Sequence, residues 1–406
     1  MNLKRKPELM APAGTLEKLK AAIDFGADAV YLGGHEFSLR AGSGNFSLPE
    51  MEEGLRIAHQ AGRKVYVTVN ILAHNSDIDR MPGYLKELNN LGVDGLIISD
   101  PGVLLLAREH CPGIPVTIST QANVTNYQSA EFYRQQGATR LVLARELSIE
   151  EIARIKGLVP VELEVFIHGA MCLSYSGRCW LSQAMTGRSA NLGECAHPCR
   201  YRYALVEEKR PGQYFPVDED ERGSYVMNSK DLCMINIIPQ LMEAGVDAFK
   251  IEGRMKSPYY VAAVVKVYRE AIDRILSGKS LDMKRWIDEL ERVATRPFTT
   301  GFAFGKPEDA QDIEKTVSPR KVLFCGVVRD QDEANGRLLI EQRAPFGVGD
   351  NLEYLEPYQP LKTETVTELY DAELNPIKVA RHPQELVWLV SQYPLTAGTL
   401  IGKITK

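Results

Sequence analysis

Cys172, Cys179, Cys195 and Cys199 fall within 28 residues, separated by six, fifteen and three positions, and four thiolates at such spacing are a donor set for a shared metal centre. They are interleaved with Ser174, Tyr175, Ser176, Gly177, Arg178, Arg188, Asn191 and Gly193, residues that do not suit an apolar core. Cys111, Cys233 and Cys325 instead sit beside Ile114, Met234 and Phe324 and are expected to be core thiols. The opening MNLKRKPEL holds no apolar run, and no stretch of roughly 18 apolar residues occurs anywhere, so neither export nor membrane insertion is expected. The cytoplasm is the expected compartment, and disulfides are rare there. Only Cys195 and Cys199 have a zinc-knuckle spacing, so the spacing alone leaves zinc and iron–sulfur both open.

A net charge of −5 and a pI near 5.9 argue against a nucleic-acid coat protein, yet the charge is unevenly spread. Between Ala170 and Leu205 there are four arginines, Arg178, Arg188, Arg200 and Arg202, against the single acid Glu194. A basic, Tyr-bearing segment can meet phosphates and stack on a base. It is equally natural as a solvated loop around a metal site.

Something must position these groups. The first 275 residues alternate short apolar runs with amphipathic stretches. Strands are predicted at Glu8–Pro12, Ala29–Gly33, Lys64–Asn70, Gly95–Asp100, Pro115–Ser119, Arg140–Ala144, Val161–His168 and Ala248–Ile251. Helices are predicted at Thr15–Phe25, Pro49–Ala61 and Asn126–Gln136. Gly26, Gly92, Gly137 and Gly245 precede four of the strands, where a left-handed residue ends a helix and the chain enters a parallel sheet. Eight units favour an α/β fold of the (β/α)8 TIM-like type over a doubly wound sheet. The cysteines then form an insertion, about 170–226, after strand seven.

In such a barrel the chemistry gathers at the C-terminal strand ends. Polar residues predicted there are Asn70, Asp100, Gln121, Asn123, Arg145, Glu146, His168, Lys250, Glu252 and Arg254. Each taken singly has an ordinary explanation as a cap or an ion pair; their convergence with a cysteine cluster points to a site. Lys250 and Glu252 share a strand face and are expected to pair, leaving Arg254 and Lys256 for an anion. In Asn228–Leu232, Ser229 or Asp231 is expected to cap a helix while Lys230 points toward the mouth.

The organisation expected is a barrel over 1–277, a charged helix and linker over 278–319, and a small antiparallel β-barrel over 320–406. Strands there are predicted at Val322–Val328, Arg337–Ile340, Asp350–Tyr354, Thr363–Tyr370 and Glu385–Leu389. This part resembles the accessory barrels of translation factors.

The segment Glu164–Ser182 (EVFIHGAMCLSYSGRCWLS) resembles the signature of the peptidase U32 family. Asn228–Leu232 (NSKDL), Lys250–Arg254 (KIEGR), Glu8–Gly14 (ELMAPAG) and Ala29–Gly34 (AVYLGG) resemble its other blocks, so the resemblance spans nearly the whole chain. It is closest to the branch that takes part in 5-hydroxylation of the wobble uridine of tRNA. The resemblance implies a [4Fe–4S] cluster on Cys172, Cys179, Cys195 and Cys199 and dependence on prephenate. Under that reading His168, Lys230, Lys250 and Glu252 are candidate catalytic residues. Arg145, Arg254, Asn70, Gln121 and Arg178 are the candidates for binding substrate. The family name also raises a collagenase-like peptidase, but the chain holds no H-E-x-x-H and no G-x-S-x-G. A tRNA-binding protein without chemistry is the third reading.

Overall fold

The computed structural model describes residues 6–39, 44–172, 174–190, 193–200, 204–206, 214–216, 230–306 and 321–405. Eight parallel strands close into a cylinder: β1 Glu8–Pro12, β2 Ala29–Gly33, β3 Lys64–Val69, β4 Gly95–Ile98, β5 Val116–Ile118, β6 Arg140–Val142, β7 Glu162–Ala170 and, after the insertion, β11 Ala248–Ile251. Closure is explicit, because β11 pairs with β1 on one side and β7 on the other. The expected (β/α)8 architecture is therefore the one observed. Helices α1 Leu16–Asp24, α2 Leu48–Gln60, α3 Asn75–Leu91, α4 Pro101–His110, α5 Tyr127–Gln135 and α6 Ile149–Leu158 follow β1 to β6 in turn.

Local signals set these boundaries. Ser47 and Glu50 form a capping box on α2, and Ser148 and Glu151 do the same on α6. Asp100 caps α4 by accepting from the Gly102 and Val103 amides at 2.7 and 3.2 Å, so this mouth residue is a cap. Gly92 closes α3 at φ 70° and ψ 43°, and Gly26, Gly137 and Gly245 also have positive φ. Strands β3 to β6 end earlier than predicted, since their last polar residues have already turned out of the ladder.

Strand β7 runs past the parallel sheet. Its last residues pair antiparallel with β10 Asp231–Cys233, with Asp231 opposite Ala170 and Cys233 opposite His168. Short β12 Phe298–Thr299 then pairs with β10. Asp231 is therefore a buried strand residue and not the helix cap expected; the long β7 offers a free edge, and pairing with it wins over a local cap. The chain after β10 reaches α8 Ile238–Glu243 through a tight turn at Ile235–Ile237, and Ser229 lies outside the described residues. Between β7 and β10, the insertion carries helix α7 Leu181–Thr186 and a hairpin of β8 Ala204–Val206 with β9 Tyr214–Pro216. Asn191 and Arg202 lie outside the described residues.

After β11, helix α9 Pro258–Leu276 packs on α1, and α10 Met283–Val293 packs on α9 with Trp286 fully buried. The C-terminal strands Val322–Asp332, Arg337–Gln342, Asn351–Leu355, Lys362–Thr365, Leu369–Tyr370, Leu386–Val390 and Leu400–Ile404 form one antiparallel half-barrel. Its own core includes Cys325, Ile340, Tyr354 and Leu389. Its inner edge, Val322, Val327, Leu355 and Leu400, belongs to the main core, so the two parts share buried apolar surface. Each large apolar side chain buried there stabilises by roughly 1.5–3 kcal/mol. Cys111, Cys233 and Cys325 are all buried, as their neighbours in sequence implied.

Candidate active site

The barrel interior holds charge at its centre. Glu164 of β7 is wholly buried; one carboxylate oxygen accepts from Lys250 Nζ at 2.6 Å and the other from Arg140 Nη1 at 3.2 Å. Arg140 also bonds Glu8 at 2.6 Å and Glu162 at 2.9 Å. Burial alone would raise the Glu164 carboxyl, but Lys250 and Arg140 outweigh it and hold it below the ordinary carboxylate value. Lys250 is lowered by burial, against the opposing pull of Glu164. The ion pair of Lys250 at 2.6 Å is with Glu164, which sequence reasoning did not expect, and the Glu252 charge acts on the amine more weakly. Glu252 sits one layer higher, with Tyr31 Oη donating to it at 3.5 Å and to the Ile251 carbonyl at 3.1 Å.

Above this network lies a cavity of about 260 Å³. Tyr31, Ile97, Val142, Phe166 and Lys250 make its floor. Thr68, Asn70, Ser119 and Gln121 make one wall, joined by a bond from Asn70 Nδ2 to Gln121 Oε1 at 3.0 Å and another from Ser119 to the same oxygen. Glu252 and Arg254 make another wall, and Arg145 a third.

Arg254 is buried and donates to the Leu39 carbonyl at 2.5 Å, Asn45 Oδ1 at 2.7 Å and Ser38 Oγ at 3.2 Å. Gly33 makes room for it, since a Cβ there would stand 2.9 Å from Nη1 and 2.1 Å from Ser38 Oγ. Arg145 lies over the Phe166 ring at 4.0 Å and donates from Nη1 to the Ala170 carbonyl at 2.8 Å. Its Nε is buried with no hydrogen-bond partner among the described residues.

The insertion forms the roof. Cys172, Cys179, Cys195 and Cys199 all line this one cavity, together with His197 and Arg188. None is in a disulfide; Cys172 is exposed and the other three are half-buried. Among the described residues, no three His, Cys, Asp or Glu side chains converge closely enough to hold a single metal ion. Asn123 ties the roof down, donating to the Ser176 carbonyl at 3.2 Å.

The sequence profile of peptidase family U32 matches residues 14–313, and that of the peptidase family U32 C-terminal domain matches residues 320–401. The chain belongs to peptidase family U32. Among its U32 relatives, tRNA hydroxylation protein P1 of Bacillus subtilis (strain 168) is 41% identical over 386 residues, covering 94% of this chain and 91% of that protein. The tRNA hydroxylation protein P of Escherichia coli (strain K12) is 38% identical over 428 residues, covering 95% and 93%. A protein named Collagenase from Porphyromonas gingivalis (strain ATCC BAA-308 / W83) is 36% identical over 313 residues, covering 74% of each chain.

The U32 signature segment does not deliver all its residues to the cavity. His168 is buried under α9, where Nδ1 lies 3.3 Å from Tyr268 Oη and the ring packs against Tyr260 and Phe298. A register shift between Lys250 and Ile251 places Ile251 opposite His168 where Ile167 would be due. Gly169, at φ 109°, then lets β7 pass Glu252, whose carbonyl oxygen would lie 2.5 Å from an added Cβ. Lys230 is half-buried just before β10, and Arg178 borders a separate shallow depression with Asn123 and Tyr175; neither lines the cavity. Lys256 lies outside it too, donating to Thr295 Oγ1 at 3.1 Å.

Glu164 and the aromatic floor were missed in the sequence. A signal for Glu164 exists: an acid at an alternate position of an otherwise apolar strand needs a cation in the same barrel layer, and Arg140 and Lys250 are the strand residues that supply it.

Burial, aided by Lys256, drops the His168 pKa from 6.5 to about 3. Above pH 6.5 folded and unfolded states are both neutral here; below it only the unfolded chain takes up the proton, so stability falls as pH drops toward 3. The expected slope from this residue is about 1.4 kcal/mol per pH unit. His168→Phe is expected to flatten that acid limb, read as urea midpoints between pH 7 and pH 4.

Proposed function

We propose that this chain hydroxylates carbon 5 of the wobble uridine of tRNA in the cytoplasm, with prephenate as co-substrate and a [4Fe–4S] cluster on Cys172, Cys179, Cys195 and Cys199. The observation that carries the reading is that all four thiols face the same cavity as Lys250, Arg145 and Arg254, in a chain whose full-length relatives bear the name tRNA hydroxylation protein. Four thiols that line one cavity, none of them in a disulfide, are the donor set that a [4Fe–4S] cluster takes. When bound, such a cluster supplies electron transfer and Lewis acidity at the cavity wall.

The protein's own groups do the remaining work. An unpaired anticodon base turned out of its stack can enter the cavity over its floor of Tyr31 and Phe166, and Asn70 and Gln121 offer amides to its edge. Trp180 and Tyr175 are exposed on the insertion, where neighbouring bases can stack. Prephenate carries two carboxylates; Arg145, whose Nε has no partner among the described residues, supplies a charged donor to one of them, and the buried Arg254 guanidinium adds positive charge to the opposite wall. Arg145→Ala is expected to weaken prephenate binding about 10- to 100-fold, matching the loss of a charged hydrogen bond of about 1.5–3 kcal/mol, as titration calorimetry would show.

The deciding experiment is nucleoside mass spectrometry of tRNA from a strain lacking the gene, bare and complemented. 5-Hydroxyuridine and its derivatives should vanish and return; an unchanged nucleoside profile would remove the reading. The Collagenase relative favours one competitor, a peptidase. It requires gelatin cleavage by a colourless, chelator-sensitive preparation, whereas the hydroxylase requires a brown protein when purified without oxygen.

A further inference from the structure

A lysine amine at the floor of a ligand-sized cavity, with a carboxylate at hydrogen-bond distance and aromatic faces around it, has the composition of an imine-forming site. Lys250 meets each condition. It lines the cavity while being almost wholly buried, its Nζ lies 4.3 Å from the Tyr31 ring centroid and 5.9 Å from that of Phe166, and Met10 Sδ is 3.2 Å away. Glu164 is 2.6 Å from the amine, wholly out of water. Phe166 carries Lys250 at one approach and the Arg145 guanidinium at another, so an anion-binding group and an amine flank the same ring. The buried Nε of Arg145 has no partner among the described residues, which leaves a donor for a carboxylate placed there.

We propose that Lys250 is a covalent nucleophile whose Nζ condenses with the ketone carbon of a small 2-oxo carboxylate held by Arg145 in the barrel-mouth cavity. Naming that ligand as prephenate, which contains a 2-oxo carboxylate, rests on the function proposed above; the nucleophile itself rests on the cavity. The ammonium first passes a proton to the Glu164 carboxylate across their hydrogen bond. The freed lone pair forms the C–N bond while the carbonyl π pair moves to oxygen, which takes a proton from nitrogen to give the carbinolamine. Protonated Glu164 then returns its proton to the carbinolamine hydroxyl, water leaves, and C=N forms as a cationic imine. The sum is ammonium plus ketone giving iminium plus water, with Glu164 restored and no oxidant or reductant consumed. Burial lowers the affinity of Lys250 for its proton, which favours the first transfer, while the Arg140 ion pair that helps hold Glu164 below its ordinary carboxylate value opposes it.

The test traps the bond. Full-length protein is incubated with prephenate, or with pyruvate as a second 2-oxo acid, reduced with cyanoborohydride and mapped by peptide mass spectrometry. One adduct per chain is expected on the peptide carrying Lys250, its increment equal to the ligand less one oxygen atom. Glu164→Gln should slow its appearance on the order of 100-fold, as loss of a positioned proton carrier does. Mapping on the unmodified sequence does not depend on that variant folding. No adduct on Lys250 with either acid, or labelling spread evenly over surface lysines, overturns the proposal. Prephenate binding measured in parallel separates the two ideas. Binding without an adduct removes the imine and leaves the hydroxylase reading, while a pyruvate adduct without prephenate binding keeps the nucleophile and removes prephenate.

Discussion

Glu164→Ala is expected to destabilise the barrel by about 3–5 kcal/mol at neutral pH, because it leaves Lys250 charged, buried and without its carboxylate. Arg140 keeps Glu8 and Glu162, so the loss falls mainly on the lysine. The pH dependence identifies the cause. In the variant the folded chain sheds the Lys250 proton more readily than the unfolded chain, whose lysine titrates near 10.5, so stability should climb as pH rises toward that value. Urea unfolding at pH 7 and pH 9.5 reads both effects. A variant equally weakened at both would place the damage in packing and not in charge.

Cys179→Ala is expected to remove both the visible absorption of anaerobically purified protein and wobble-uridine hydroxylation in cells, each to background. Cys111→Ala serves as the control, since that thiol is buried in the barrel core, donates to the Leu85 carbonyl at 2.9 Å and lies far from the roof in sequence. It should cost stability and leave colour and modification in place. If the Cys179 variant keeps colour and product, the proposed cluster falls with it.

Much of the framework was legible because it is local. Apolar runs, glycine exits and serine caps mark β1, β2 and β11 at their observed limits, and the eight repeats imply closure. What escaped is set by contacts distant in sequence. Asp231 looks like a cap until β7 proves long enough to pair with it. His168 looks like a mouth residue until a register shift against β11 turns it toward the tyrosines of α9. Lys250 and Glu252 stand two residues apart at the end of one strand, but the adjoining strand supplies the ion-pair partner: Glu164, two residues along β7 from Phe166, the register partner of Lys250. The cysteines were conspicuous throughout, and spacing could place them at the end of strand seven without showing that they roof the same hollow as Arg145 and Lys250.

Where the roof departs and where it comes home are neighbours: Ala170 stands opposite Asp231 on adjoining strands. The excursion is therefore hemmed shut at its base, and the cylinder below is mechanically indifferent to how much chain hangs from the seam. Doubling such a loop costs only about 0.6 kcal/mol in closure entropy. The part above that seam can thus change in length while the cylinder beneath keeps its shape.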